Sequence, residues 1–295
     1  MKLQNIIAAG LVASTFAFTS CGKSSEEGAA KEEKITTLRF SAIPDKDTTG
    51  QEERFKPLAD FLSKELGMPV EFVVSDSYGA SVEKFSNGDI QLAWFGGVSG
   101  VQAREAVPGS KAIIAGEADL EFKSYFVAHN STGLTYSSDF PVGIADLTFT
   151  FGSASSTSGC IMPSNYILEN TGKGPLEFFS QKPGFSGKHD LTALAVNDGS
   201  YQAGALNYKT YEKMVESGKI DPNICVKIWE TPTYADYNMT AHAALGEELI
   251  GKIQTALAGT DNEGVLKALG RDKLIKVDNE TFAGIATVLE KVKFD

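Results

Sequence analysis

The segment Phe151-Gly152-Ser153-Ala154-Ser155-Ser156-Thr157-Ser158-Gly159 places four hydroxyl side chains in succession where a strand hands over to a helix. Free backbone N–H groups and the positive end of the helix dipole converge at such a junction, and the hydroxyls add neutral donors. That set suits a tetrahedral oxyanion, whose oxygens take short hydrogen bonds from several directions. Helix capping is the plainer use of Ser and Thr here, but four successive hydroxyls exceed what a cap requires. No Gly-Lys-Ser/Thr follows, so the loop is not a phosphate-cradling P-loop. A second segment, Ala93-Trp94-Phe95-Gly96-Gly97-Val98-Ser99-Gly100, is again a strand end followed by small residues. There aromatic rings can exclude water while glycines let backbone approach a ligand; Trp94 as plain core is the competing use. Tyr78 opens a helix and can donate its hydroxyl to the same cleft, with surface packing as its alternative.

Enzyme chemistry finds little support. Gly97-Val98-Ser99-Gly100-Val101 lacks the second Gly of a nucleophile elbow. His129, His189 and His242 stand far apart, without metal-ligand spacing. No dinucleotide fingerprint or kinase motif set occurs. The expectation is a binding protein that uses no cofactor and no metal.

The elements that must position these residues follow from periodicity. Ile35–Ile43 has strand composition and ends at Pro44-Asp45. From Glu52 to Leu66 the apolar residues Phe55, Leu58, Phe61, Leu62 and Leu66 recur at helical spacing, and Gly67 supplies a stop. Val70–Val74, a short helix from Ser81 to Phe85 and the strand Ile90–Phe95 complete a β-α-β-α-β alternation, which predicts a parallel, doubly wound sheet. The pattern restarts at strand Leu147–Gly152, with helices over Met162–Glu169, Leu191–Val196 and Tyr211–Ser217 and strands at Gln202–Leu206 and Val226–Trp229. Helices over Leu245–Ala258 and Phe282–Val292 close the chain. Two α/β units with a late return imply two lobes, residues 35–130 plus 236–295 and residues 131–235, joined near 130–138 and 230–236.

Composition bounds the partners. The 295 residues carry 27 Lys+Arg against 38 Asp+Glu, a formal net charge of −11, which argues against a nucleic-acid face. It does not bar an anionic small ligand, because a closed cleft supplies its own local donors. Residues 1–20 read as a secretory signal, with the apolar stretch Ile6–Phe18 and small residues before Cys21. A Cys in that place resembles a bacterial lipobox, whose thiol takes a diacylglyceryl group; an incidental Cys after an ordinary signal is the alternative. Residues 21–34, rich in Gly, Ser, Glu and Lys, then form a solvated tether. The expectation is an exported, lipid-anchored protein at the periplasm or cell surface. Cys160 and Cys225 are read as unpaired, although a bridge between them stays open.

At these residues the sequence resembles the substrate-binding proteins of phosphate/phosphite/phosphonate ABC importers, over nearly the whole mature chain. The resemblance is carried by Ser155–Gly159 with Met162-Pro163, and by Ala93–Gly96. Within that superfamily it most resembles a branch described as selenate-binding, through Ala42–Asp45, Gln91–Arg104, Pro108–Ser110, Phe122–His129, Pro183–Asp190 and Tyr201–Asn207. The resemblance implies an α/β, type II periplasmic-binding-protein fold of two lobes, each a doubly wound mixed sheet with flanking helices, closing on a ligand in the cleft. It implies delivery to a permease driven by separate ATPase subunits, by a chain that acts as a monomer. It places Ser155, Ser156, Thr157, Ser158 and His189 on one side of the ligand, Tyr78, Trp94 and Phe95 on the other, and Tyr234 and Tyr237 at the cleft wall.

Phosphonate binders usually carry an acidic residue about where Asn207 stands. An amide donor there suits a fully ionised anion such as selenate or sulfate, which is the expected ligand. Asp190 or Asp236 reaching the site would reverse that preference towards phosphonate, phosphite or phosphate. A ligand-sensing module for a membrane receptor is the alternative from another class.

Overall fold

The computed structural model of the protein describes residues 35–46 and 49–292. The expected signal, tether and lipidated Cys21 lie outside the described residues. Along the chain come β1 (Leu38–Ala42), α1 (Gln51–Leu66), β2 (Val70–Phe72), α2 (Tyr78–Ser86), β3 (Leu92–Phe95), α3 (Gly97–Ala106) and β4 (Lys111–Gly116). Next are β5 (Ser124–His129), β6 (Phe149–Phe151), a π-helical turn Thr157–Ile161 running into α4 (Met162–Thr171), and the single turn α5 (Pro175–Phe178). Then follow β7 (Gly184–Phe185), α6 (His189–Asn197), β8 (Ala203–Asn207), α7 (Tyr208–Glu216) and β9 (Cys225–Glu230). The chain ends in β10 (Asn238–Ala241), α8 (Gly246–Leu257), α9 (Glu263–Leu269), β11 (Leu274–Lys276) and α10 (Ala283–Lys291).

These strands form two sheets, in the orders β11-β4-β10-β3-β1-β2 and β7-β6-β8-β5-β9. The β1, β2 and β3 pairings are parallel, as the alternating pattern requires, but β10 runs antiparallel between β3 and β4, and β11 antiparallel along β4. The parallel pairing expected of the β-α-β-α-β stretch and the mixed sheet expected of each lobe are both found. In the second sheet β6 pairs in parallel with β7 and β8, while β5 is antiparallel to β8 and β9.

The chain changes sheets earlier than the sequence suggested. Residues 124–129, expected in the first lobe, are β5 of the second sheet. The two crossing segments pair with each other: Phe122 and Tyr234 exchange both backbone hydrogen bonds at 2.9 Å, and the Asp236 N–H donates to the Asp119 carbonyl at 2.9 Å.

Local chemistry explains the elements nearest the site. In α1, Phe55, Leu58 and Leu62 face the core at i, i+3 and i+7, and Gly67, at φ 64°, takes the left-handed turn that ends the helix. Phe55 stacks on Phe72 at 4.6 Å and meets Phe40 of β1 edge-on at 6.1 Å, pinning α1 to the first sheet. Under the second sheet Phe126 packs edge-on against Trp229 at 5.3 Å and Phe149 stacks on Phe179 at 4.6 Å. Each such ring buried contributes on the order of 2–3 kcal/mol. Cys160 and Cys225 are both buried and free, and burial pushes the Cys225 thiol up to about 12. Among the described residues no helix is long and apolar enough to cross a membrane.

Candidate functional site

Five helical starts follow strands within six residues: Tyr78 of α2, Gly97 of α3, the π turn at Thr157, His189 of α6 and Tyr208 of α7. Ligands of open α/β sheets sit beyond the carboxyl ends of the strands, where helix N-termini bring unpaired N–H groups. The hydroxyl loop is built for this place. Ser156 caps the π turn, its Oγ accepting the Gly159 N–H at 3.0 Å, so Thr157 and Ser158 are presented rigidly. Ser156, Thr157 and Ser158 are all buried, while Ser155 lies half-buried in the preceding turn.

His189 Nε2 lies 3.4 Å from Ser156 Oγ, and its Nδ1 accepts the Asn207 backbone N–H at 3.2 Å. Because Nδ1 is an acceptor there, the proton of the neutral ring sits on Nε2 and faces the loop. Burial holds the imidazole down at about 4, although Asp45 and Asp190 pull upward, so the ring stays neutral. Tyr78 hydrogen-bonds Ser156 through its side chain, and burial keeps its phenol protonated. The donors Tyr78, Ser156, Thr157, Ser158 and His189 are thus neutral groups brought together from both sheets.

Facing them is Asp236, one of the two acids whose reach into the site the sequence left open. Asp236 is 1% exposed; its Oδ1 accepts the Gly97 N–H at 2.9 Å, and its Oδ2 is buried without an aligned hydrogen-bond partner. Burial lifts its pKa to about 6, against the Gly97 N–H and the neighbouring Thr157 and Ser158 hydroxyls, which draw it down. Thr157 Oγ1 accepts the Val98 N–H at 3.0 Å, across the two sheets. Gly96 lets these groups approach closely, since a Cβ there would stand 3.1 Å from Thr157 Oγ1 and 3.2 Å from Asp236 Oδ1. The missed signal for Asp236 is its place: an acid in the second crossing segment, two residues ahead of β10.

Other expected residues take supporting positions. Trp94 is buried and stacked on Tyr237 with centroids 6.1 Å apart. Phe95, the next residue of β3, points to the opposite face and packs on Phe85 of α2 at 5.6 Å. Its ring lies in the core. Ser124 Oγ donates to the Ser158 carbonyl at 2.7 Å and lies 2.6 Å from the Tyr234 hydroxyl, so Tyr234 braces the loop from behind. Asn207 caps α7, its Oδ1 accepting the Thr210 N–H at 2.7 Å while its Nδ2 donates to the Tyr237 hydroxyl at 3.3 Å.

Residues 40–282 match the family model of the phosphonate periplasmic substrate-binding protein of ABC transporters. A Prochlorococcus marinus protein named as a probable ABC transporter phosphite binding protein, PhnD1, is 34% identical over 86% of this chain and 89% of its own length. The phosphate-import protein PhnD of Mycolicibacterium smegmatis is 30% identical over 77% of this chain and 72% of its own. The structure of P. marinus PhnD1 in complex with methylphosphonate matches at TM-score 0.80 and 32% identity, covering 87% of this chain and 98% of that one. A Pseudomonas aeruginosa phosphonate-transporter binding protein shares the fold at TM-score 0.74 and 18% identity, covering 86% of this chain and 85% of that one.

The two mixed sheets with flanking helices are thus a type II periplasmic-binding-protein fold. The chain serves transport and is not an enzyme, and membership of a periplasmic family makes it an exported protein. It belongs to the phosphonate family of periplasmic substrate-binding proteins of ABC transporters.

Proposed function

We propose that the protein captures a phosphorus oxyanion that can carry an O–H near neutral pH, a small phosphonate, phosphite or phosphate, and presents it to the importer's permease. The carrying observation is Asp236, whose buried Oδ2 has no aligned hydrogen-bond partner in the protein. A buried carboxylate oxygen left so is costly, and a ligand O–H satisfies it. The neutral donors Tyr78, Thr157, Ser158 and His189 suit the remaining oxygens. Sulfate and selenate bring acceptors only and meet Asp236 with repulsion. The Asn207 amide, from which a fully ionised anion was expected, is engaged by Thr210 and Tyr237. The relatives named for phosphite and phosphate fit this ligand class.

Calorimetric titration of ligand-stripped protein at pH 7 with phosphite, methylphosphonate, phosphate, sulfate and selenate tests it. The phosphorus anions bind most tightly; tight selenate or sulfate with weak phosphorus anions overturns the ligand. In the same assay Thr157→Ala lowers methylphosphonate affinity by about 1–3 kcal/mol, the loss of one buried donor to a charged acceptor. Unchanged affinity would remove the hydroxyl loop from the site. The bodies around the two sheets act as lobes that close on the anion in a monomer. A diacylglyceryl group on Cys21 holds the protein at the membrane, which mass spectrometry of the membrane-fraction protein checks.

A further inference from the structure

Arg271 lies between α9 and β11, and its side chain is 8% exposed. Its Nε donates to Asp119 Oδ2 at 2.5 Å, and its Nη1 to the carbonyls of Leu269 and Gly270 at 3.2 and 2.9 Å. Asp119 stands where the chain leaves the first sheet, and its own carbonyl receives the Asp236 N–H. Three rings border the guanidinium: Tyr237 at 4.8 Å, Trp94 at 5.4 Å and Phe122 at 6.0 Å. A desolvated planar cation against aromatic faces is held there by the ring quadrupoles, which restricts the rings in turn.

Tyr237 is the one of these rings that reaches across the cleft. Its hydroxyl donates to Asp45 Oδ2 at 3.0 Å, just beyond β1 of the first sheet, and accepts from Asn207 Nδ2 at 3.3 Å, the last residue of β8 in the second. Beside it the His189 N–H donates to the Asp45 carbonyl at 3.0 Å. A single phenol thus ties the two bodies next to the donors of the site, and Arg271 and Trp94 both pack against its ring.

We propose that Arg271 is a positioning residue for ligand capture: packed on Tyr237, it holds the phenol in the pose that latches Asn207 to Asp45, and so sets how readily the cleft closes. The role goes beyond the ligand proposal, because the latch acts on closure whichever anion is held. Lysine at this position keeps a charge for Asp119 but loses the planar face against Tyr237. Tyr237→Phe keeps the ring and removes the latch.

The test is a double-mutant cycle with Arg271→Lys and Tyr237→Phe, titrated with methylphosphonate, phosphite and selenate. Each single substitution lowers affinity by about tenfold, the scale of one hydrogen bond to a polar partner, and the double variant is no weaker than the weaker single. A merely structural Arg271 gives losses that add, and wild-type affinity in Arg271→Lys also overturns the role. Small-angle scattering of ligand-free protein reads the latch without any ligand: both variants are more expanded than the wild type. Should no anion bind the wild type, the ligand proposal fails, and this scattering decides the latch alone; equal profiles overturn it.

Discussion

Asp236→Asn inverts the anion preference of this protein. The substitution keeps the shape of the side chain and an oxygen for the Gly97 N–H, now held at 2.9 Å by Asp236 Oδ1. It replaces the unpartnered acceptor Oδ2 by an amide donor. A hydrogen phosphonate or phosphite loses a charge-assisted hydrogen bond and its O–H is left facing a donor, which costs about 2–3 kcal/mol, or 30- to 150-fold in affinity. Sulfate and selenate lose a repulsive carboxylate and gain a donor, so their affinity rises. Calorimetric titration of both variants with methylphosphonate and selenate reads the exchange. Parallel changes for the two ligands, or none, would show that Asp236 does not meet the anion.

The ligand-free protein shows a nearly flat contribution to its pH–stability profile from two buried groups that oppose each other. Asp236 has its pKa raised by burial to about 6, so above that pH the native state carries a penalised charge. As pH falls from 6 towards 3.8 the native state takes up a proton that the unfolded chain does not, and stability is gained. His189 is the reverse: burial lowers it from 6.5 to about 4, so the unfolded chain protonates first and stability is lost as pH falls through that window. Each shift is worth on the order of 3 kcal/mol, with opposite sign over nearly the same range. Asp236→Asn exposes the histidine, and its thermal midpoint falls steeply between pH 6.5 and 4 relative to the wild type. His189→Gln exposes the aspartate, and its midpoint rises relative to the wild type as pH falls from 6 to 4. At pH 7 Asp236→Asn is the more stable ligand-free protein, because it removes a buried charge whose Oδ2 has no aligned partner. Three parallel profiles from calorimetric scans would sink this account.

The hydroxyl loop was legible because its information is local. A strand, four hydroxyls and a helix occupy consecutive residues, and the donors they present follow from helix-end chemistry wherever the loop lies. The expected strands β1, β2, β3, β6, β8 and β9 and the long helices were readable for the same reason. Harder were β5 and β10, whose apolar runs are as strand-like as the others but whose partners lie far along the chain: β5 takes β8 and β9, and β10 enters between β3 and β4. The alternation of β3 was readable in principle, since consecutive strand residues face opposite sides, and it sends Trp94 to Tyr237 and Phe95 to Phe85.

What the sequence by itself determined is the set of strand–turn–helix junctions and the neutral donors they carry, because capping, periodicity and backbone dipoles act within a few residues. It also carried the family, through short stretches whose residue types are unusual together. Only the tertiary structure decided which carboxylate faces those donors. Asn207 occupied the expected position, yet its amide serves α7 and Tyr237, whereas Asp236 arrives from a crossing segment beside Gly97, 139 residues away in sequence. Its raised pKa, the fixed tautomer of His189 and the stack of Arg271 on Tyr237 arise from burial and long-range contact. Neither residue type nor spacing encodes burial, and that is why the protonation of these groups had to come from the fold.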